Sequence, residues 1–169
     1  MHLIILTGIT YIKKVSDFLN KINEIASESE VLIQAMNSNM IAGYEHVMYA
    51  IEKANKSFET NKNVAKDKGI EIMRYAAAKK QIEDAFSLGI AEGNNNILLI
   101  VLGNEKDTLK AYNALKKTIT EKDLLEYTTE KKFYIMQQFK ITVEEINVVG
   151  EDKIPKLVKE RVALVDYIN

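Results

Sequence analysis

The sequence predicts an α/β fold in which a small central β-sheet of three to four strands is covered by about seven to eight helices. Three short apolar runs bounded by Gly, Asn or Ser indicate buried strands. Most of the remaining chain repeats apolar residues every three or four positions, as amphipathic helices do. No internal repeat or Gly/Pro/Ser-rich linker divides the chain, so we expect a single domain over residues 1–169.

All three of these strands are predicted to lie within the first 102 residues. Residues 3–6 and 31–36 are the first two apolar runs, and the apolar positions of residues 15–25 between them fall on one face of a helix. Residues 41–89 have an almost wholly helical pattern. A third strand at 97–102 follows an Asn-rich turn. The helix at 15–25 is therefore expected to lie on a sheet formed by these strands.

The C-terminal part is predicted to be mostly helical, with one ambiguous stretch. Residues 109–115 have a helical pattern, whereas residues 146–149 fit either a fourth strand or part of a helix. Pro155, the only proline, stands where the last helix would begin, a position at which the missing N–H costs no hydrogen bond. The last helix is therefore predicted to span residues 154–168.

The composition speaks against several kinds of catalytic site. Because the chain has no cysteine, disulfides, thiolate metal sites and cysteine nucleophiles are excluded. His2 and His46 are the only histidines, and neither a Gly-x-Ser-x-Gly elbow nor a Gly-x-x-x-x-Gly-Lys phosphate loop occurs. An enzyme is therefore the weaker class on composition alone, with magnesium bound by scattered carboxylates still open, and we expect no catalytic residue, no metal and no cofactor.

Charge and hydropathy limit where the protein acts. The net charge of −1 excludes a generally basic nucleic-acid-binding chain, so any electrostatic attraction must be local. The longest apolar run lies at 97–102, far short of the roughly 20 residues that a membrane-spanning helix needs. No secretory signal pattern is recognisable at the N-terminus, and the lack of cysteine suits a reducing compartment. We expect a cytoplasmic protein with no membrane partner.

An ordered series of short motifs resembles one protein family. The series comprises a strand at 31–36 running into Asn37, Gly43-Tyr-Glu-His46, Gly69-Ile-Glu-Ile-Met-Arg-Tyr75, Gln81-Ile-Glu-Asp-Ala85, Leu88-Gly-Ile90, the strand at 97–101, Phe139-Lys-Ile-Thr142 and Lys156-Leu-Val-Lys-Glu-Arg-Val-Ala-Leu-Val165. This succession is similar to the small KEOPS-complex subunit family whose eukaryotic member is TPRKB, the PRPK-binding protein, and it resembles an archaeal member. Residues 104–138 match poorly.

The resemblance implies an α/β protein without catalysis of its own. Such subunits bind the N-lobe of the small atypical kinase of KEOPS and promote its activity. They thereby act indirectly on the subunit that transfers threonylcarbamoyl groups to tRNA, and archaeal members are associated with holding the tRNA 3′ CCA end. The family usually has a break between two helices near Ala78. Residues 76–80 of this chain contain neither Gly nor Pro, so periodicity alone predicts a continuous helix there.

The last predicted helix is the candidate kinase-binding surface. Its apolar residues span about 160° of the helical wheel, whereas a core-facing stripe is typically somewhat above 100°. Either the stripe is a broad core face over which Arg161 snorkels or meets a carboxylate, or its extra width docks on a partner. The resemblance favours docking on the kinase, and Leu157→Glu or Val158→Glu would then abolish binding without unfolding the chain. The candidate residues are Ile154, Leu157, Val158, Arg161 and Val165.

Residues 52–80 contain most of the candidate tRNA surface. Eight basic and four acidic residues lie there, whereas the rest of the chain is net negative. Basic side chains can hold RNA phosphates and an aromatic ring can stack on a base of a single-stranded end, although a Lys-rich face also arises from solubility alone. With the resemblance included, the candidates are His46, Tyr49, Lys53, Lys62, Arg74, Tyr75, Lys79 and Lys80.

Some alternatives remain open at this point. His46 lies on the helix face opposite the apolar stripe, where it would either contact RNA or cap a neighbouring loop. Glu71 is spaced to pair with Arg74, as a structural pair or as part of a site. The competing function for the whole chain is a small α/β ligand-binding or enzymatic domain of unknown substrate.

Overall fold

The computed structural model describes residues 1–168 and divides into two compact units. Unit 1 consists of residues 1–38 and 89–124, and unit 2 consists of residues 39–88 and the chain from Leu125 onward. The expectation that the whole chain folds as one domain remains a prediction.

Four strands and eight α-helices occur in the described chain, which confirms the predicted α/β class. In chain order they are β1 (His2–Ile12), α1 (Val15–Ser29), β2 (Leu32–Asn37), α2 (Tyr44–Glu59), α3 (Lys68–Ala76), α4 (Ile82–Ala85), β3 (Gly93–Gly103), α5 (Glu105–Leu115), β4 (Thr120–Glu121), α6 (Lys132–Phe139), α7 (Val143–Val149) and α8 (Ile154–Ala163). A 3-10 turn, Val165–Tyr167, follows α8.

The strands of unit 1 form one antiparallel sheet in the order β2-β3-β1-β4. β1 pairs with β3 over its whole length, from His2 opposite Gly103 to Ile12 opposite Gly93. Both strands extend beyond the predicted apolar runs. The hydrogen bonds between strands are made by backbone groups, so polar side chains are tolerated at the strand ends. The three predicted strands are therefore confirmed, with longer bounds for two of them.

The fourth strand is one that the sequence did not predict. β4 has only two residues, both exposed, and it pairs with Gly8 and Ile9 of β1. A Cβ at position 8 would lie 2.3 Å from the carbonyl oxygen of Thr120, so only glycine permits this close approach of the two backbones. A strand this short and polar has no hydrophobic pattern to reveal it.

The core of unit 1 lies between the sheet and two helices. One face of β3, with Ile97, Leu99 and Val101, is packed with residues of α1 and α5. The helix residues of this cluster are Ile22, Ile25, Ala111 and Leu115. The predicted packing of the first helix on the sheet is therefore confirmed.

Unit 2 is helical, and one cluster of its core lies among the helices of its C-terminal part, while α2 and α3 also carry buried apolar residues. α2 packs against α3 and α8, and α6 also packs against α8. The core cluster consists of Ala42, Ile135, Phe139, Ile141, Ile146, Ile154, Leu157 and Val158. Residues 146–149 belong to α7 and not to a strand, because Thr142 and Glu145 form a capping box that starts the helix. Pro155 lies in the first turn of α8 as predicted.

The helical pattern of residues 41–89 belongs to separate helices with two breaks between them, and the continuous helix that periodicity predicts over residues 76–80 is wrong. α2 ends at Glu59, and α3 starts only at Lys68, where Asp67 caps the N-terminus by accepting the Ile70 N–H at 2.9 Å. α3 then ends at Ala76, and Ala78 adopts a left-handed conformation with φ 54°. The family's break near Ala78 is therefore present without a glycine.

Side-chain donors stabilise this second break. The exposed carbonyls at the end of a helix need partners, and three side chains supply them. His46 bonds the carbonyl of Ala76, and Gln138 donates to that of Ala77 at 3.1 Å. Arg74 donates to the carbonyls of Lys79 and Lys80 at 3.2 and 3.3 Å. The break therefore depends on long-range contacts, which local periodicity does not reveal.

Candidate nucleic-acid interface

A depression of about 470 Å³ in unit 2 collects most of the candidate tRNA residues. It is lined from α2, from the segment after α2, from α3 and the segment after it, and from the C-terminal turn. We call it the basic depression, because its lining includes Lys53, Lys56, Lys62, Arg74 and Lys80 together with Tyr75, Asp166 and Tyr167. Five of the eight predicted residues therefore meet at one place.

Lys56 and Tyr167 line the basic depression and suit RNA binding, but neither was among the candidates. Lys56 follows Lys53 by three positions on α2, so the two share a helix face, and this spacing could have identified it. Tyr167 is 79% exposed at the C-terminal turn. No sequence signal links Tyr167 to α2, because only the folded chain brings the C-terminus to this helix.

Arg74 and Tyr75 form the wall of the basic depression and are not exposed ligands. Both are 2% exposed, and the Arg74 guanidinium lies 4.4 Å from the centre of the Tyr75 ring. The predicted stacking of an RNA base on Tyr75 is therefore wrong, because its ring is covered. Both residues were candidates because they lie in a segment rich in basic residues, and that composition does not reveal that packing buries them.

Glu71 is the structural partner of Arg74. Its fully buried carboxylate accepts hydrogen bonds from Arg74 Nε at 3.0 Å and Arg74 Nη2 at 2.7 Å. It also accepts the Ser57 hydroxyl at 3.0 Å and the N–H groups of Val64 and Ala65 at 3.3 and 3.0 Å. Burial alone would raise the pKa of Glu71, but these bonds and the Arg74 charge hold it below its ordinary value. Glu71 thus fixes the segment after α2 that carries Lys62.

His46 is a buried residue, so its predicted exposure to RNA is wrong. It is 3% exposed, and its ring meets the Phe139 ring edge-on at 5.5 Å. Nδ1 accepts the Ala42 N–H at 3.0 Å, which leaves the ring hydrogen on Nε2 to be donated to the Ala76 carbonyl at 2.8 Å. His46 therefore joins the loop before α2 to the end of α3, in line with the alternative of a loop cap.

The two remaining candidates lie outside the basic depression. Tyr49 is half-buried, with Lys159 Nζ 5.2 Å from its ring centre. Lys79 lines a second depression of about 500 Å³, whose other basic residues are Lys80, Lys140 and Arg161. Lys80 lines both depressions. The basic residues of unit 2 therefore line two depressions that share Lys80.

Asp166 is the carboxylate of the basic depression. It accepts Lys53 Nζ at 2.6 Å through Oδ2 and the Tyr75 hydroxyl at 2.7 Å through Oδ1. Burial would raise its pKa, but these two bonds and the charge of Arg74 hold it below its ordinary value. Burial and the bond to Asp166 raise the pKa of Tyr75 to about 12, so its hydroxyl remains a donor at neutral pH. Asp166 is therefore ionised, and each of its two carboxylate oxygens accepts one hydrogen bond.

The predicted kinase-binding anchors are core residues. Ile154, Val158 and Val165 are at most 1% exposed, and Leu157 is 9% exposed. Ile154, Leu157 and Val158 pack with Phe139 and its neighbours in the core of unit 2. Their prediction as docking anchors is therefore wrong, since an apolar arc on a helical wheel does not distinguish a core from an interface. The broad-core alternative is correct for these residues.

Arg161 meets a carboxylate, as that alternative required. Its Nη2 donates to Glu145 Oε1 at 2.7 Å and to the Lys140 carbonyl at 3.2 Å, while Nε donates to the Phe139 carbonyl at 3.2 Å. The bond from Arg161 lowers the pKa of Glu145. Arg161 therefore closes the end of α6 and is not free to pair with a kinase residue.

Comparisons with known proteins identify one family. The family model described as kinase binding protein CGI-121 matches residues 9–166. The regulatory protein Cgi121 of Methanocaldococcus jannaschii is 28% identical over 134 residues, which is 79% of this chain and 82% of the relative. Within residues 1–168, no helix is long and apolar enough to cross a membrane, and no three His, Asp or Glu side chains cluster to hold a metal ion.

Proposed function

Because the chain belongs to the CGI-121 family of kinase-binding proteins, we propose that it is a non-catalytic regulatory subunit of the KEOPS complex. In this role it binds the N-lobe of the small atypical kinase, promotes the kinase's ATP hydrolysis and acts indirectly on the threonylcarbamoyl-transferase subunit. The observation that carries kinase binding is the family match over residues 9–166. We place this activity in the cytoplasm.

Calorimetric titration with the purified kinase tests the first part of the proposal. We expect a one-to-one complex and faster ATP hydrolysis by the kinase when the complex forms. A folded chain that neither binds the kinase nor changes its ATP hydrolysis would overturn the kinase role. Turnover of a small molecule by the isolated chain would instead favour the enzymatic alternative.

The second part of the proposal is that the basic depression holds the 3′ CCA end of tRNA. Four lysines from three segments of the chain line it, and each can neutralise a phosphate and release bound counterions. Tyr167 supplies an exposed ring beside these charges, and a base stacked on such a ring gains about 1–3 kcal/mol. Single-stranded RNA ends offer both unstacked bases and phosphates, so they match this chemistry better than a duplex does.

A charge-reversal experiment tests the RNA proposal. Lys56→Glu with Lys62→Glu should weaken binding of tRNA by at least about tenfold and reduce its salt dependence. Lys106→Glu with Lys117→Glu makes the same charge change at exposed positions of unit 1 and should have a much smaller effect. Removing CCA should matter more than changing the anticodon. Equal effects of the two charge reversals, or indifference to CCA, would overturn the assignment.

A further inference from the structure

The chain's last described residues separate the two basic depressions of unit 2. Asp166 and Tyr167 line the basic depression, and Ile168 lines the second one. Lys80, which lines both, donates from Nζ to the carbonyl of Ile168 at 2.6 Å. We call residues 166–168 the C-terminal strap. If the strap moved away, the two depressions would join beside Lys80.

The strap occupies the position that an anionic ligand would take. Its Asp166 carboxylate engages Lys53 and Tyr75, and the strap's last described carbonyl engages Lys80. Two of the lysines available for phosphates are therefore already bonded to the protein's own oxygen atoms. A phosphate that binds Lys53 or Lys80 competes with these oxygens, because a lysine that neutralises Asp166 attracts a second anion less strongly.

The contacts that hold the strap are of a kind that is easily exchanged. The Lys53 and Asp166 side chains are 18% and 44% exposed, and ion pairs this accessible to water contribute little to stability. Tyr167 and Ile168 are exposed, whereas Val165 directly before them is 1% exposed and anchors the chain. The strap can therefore swing out from Val165 without opening the core.

We propose that the C-terminal strap is an autoinhibitory element in which Asp166 substitutes for a ligand phosphate, so that a single-stranded RNA end binds by displacing the Asp166 carboxylate, and the exposed Tyr167 ring stacks on a base from the displaced strap. The proposal rests on the proposed RNA function for the identity of the ligand. Displacement frees Lys53 and Lys80 together and joins the two depressions into one basic groove. The strap thereby disfavours weakly bound anions and selects ligands with several phosphates.

Removal of the Asp166 charge tests the inhibition. Asp166→Asn should bind an oligoribonucleotide ending in CCA about three- to tenfold more tightly than the parent chain, since an accessible ion pair and a like charge are both removed. Asp152→Asn is the matched control, because its carboxylate is exposed and lies 4.0 Å from Lys153. A gain below about twofold is expected there. The autoinhibitory role of the strap would be overturned if the parent chain and Asp166→Asn bound the oligoribonucleotide equally well, or if both variants gained affinity equally.

Displacement itself is tested with a fluorescent reporter. The chain has no tryptophan, so Ile168→Trp places a single indole on the strap. Its emission should change on addition of the oligoribonucleotide or of inorganic tripolyphosphate, and the change should be smaller when Asp166→Asn is also present. An emission that neither ligand changes contradicts the strap. If RNA binds no variant, the RNA function is wrong. A change of emission with tripolyphosphate would then still support displacement of the strap, and an unchanged emission would contradict it.

Discussion

Acidification should destabilise the protein through His46 before its carboxylates titrate. Burial, together with the charge of Lys131, lowers the pKa of His46 from 6.5 to about 4, against the opposing effect of its bond to Ala76. A second ring proton would also abolish the bond in which Nδ1 accepts the Ala42 N–H. The folded state therefore binds fewer protons than the unfolded state below pH 6.5, and stability falls as the pH falls from 6.5 to 4.

The size of this effect follows from the two pKa values. Between pH 7 and pH 5, preferential protonation of the unfolded state lowers the free energy of unfolding by about 2 kcal/mol, and by about 3 kcal/mol once the transition is complete. Glu71 and Asp166 have pKa values below their ordinary ones, so their contributions are lost only at lower pH. Measurements between pH 7 and pH 5 therefore isolate the histidine.

Urea unfolding of three chains measures the effect. The parent chain should lose about 2 kcal/mol between pH 7 and pH 5, and His2→Gln should behave in the same way. His46→Gln, whatever its stability at pH 7, should lose much less over this interval. If His46→Gln loses as much stability as the parent chain, the buried neutral histidine is not the cause and the reasoning is refuted.

Three further predictions concern stability and are checked by urea or thermal unfolding. Val158→Glu should destabilise the fold by about 3 kcal/mol or more, because it buries an unpaired carboxylate; a normal unfolding midpoint would restore the docking interpretation. Glu71→Gln should cost about 3–5 kcal/mol by leaving Arg74 buried without its counter-charge, and replacing Arg74 by Met as well should recover part of the loss. Glu30→Gly should stabilise by about 0.5–1 kcal/mol, because Glu30 ends α1 with φ 55°, whereas Glu28→Gly inside the helix should destabilise.

Buried strands and capped helices were predictable from local sequence. Residues 97–102 form an uninterrupted apolar run, and a strand with little exposure on either face requires one. Pro155 marked the start of α8 because its fixed φ suits the first turn. Asp67 and the Thr142–Glu145 pair are also recognisable in the sequence, as an N-cap residue and a capping box. These patterns predict the starts of α3 and α7.

The candidate site was only partly predictable from the sequence. A helical wheel assigns one face of a helix to the core and the other to solvent, and this assignment fails when the helix packs against neighbours on two sides. α2 packs against both α3 and α8, so His46 is buried on the face that the wheel assigned to solvent. The positive charge and close spacing of the lysines made them candidates, and Lys53, Lys62 and Lys80 line the same depression. Asp166 lies 113 positions from Lys53, and no periodicity connects residues at that separation.

The pairing of β1 with β3 has a consequence for synthesis on the ribosome. β1 is complete at Ile12, but its partner begins only at Gly93, so about 80 further residues must be made before the two can join. At roughly 5–20 residues per second, the nascent strand waits about 4–16 s with both edges open. During this interval Leu6 can be shielded from other nascent chains by a holdase chaperone or by core residues already made, such as Ile22, Ile25 and Ala35.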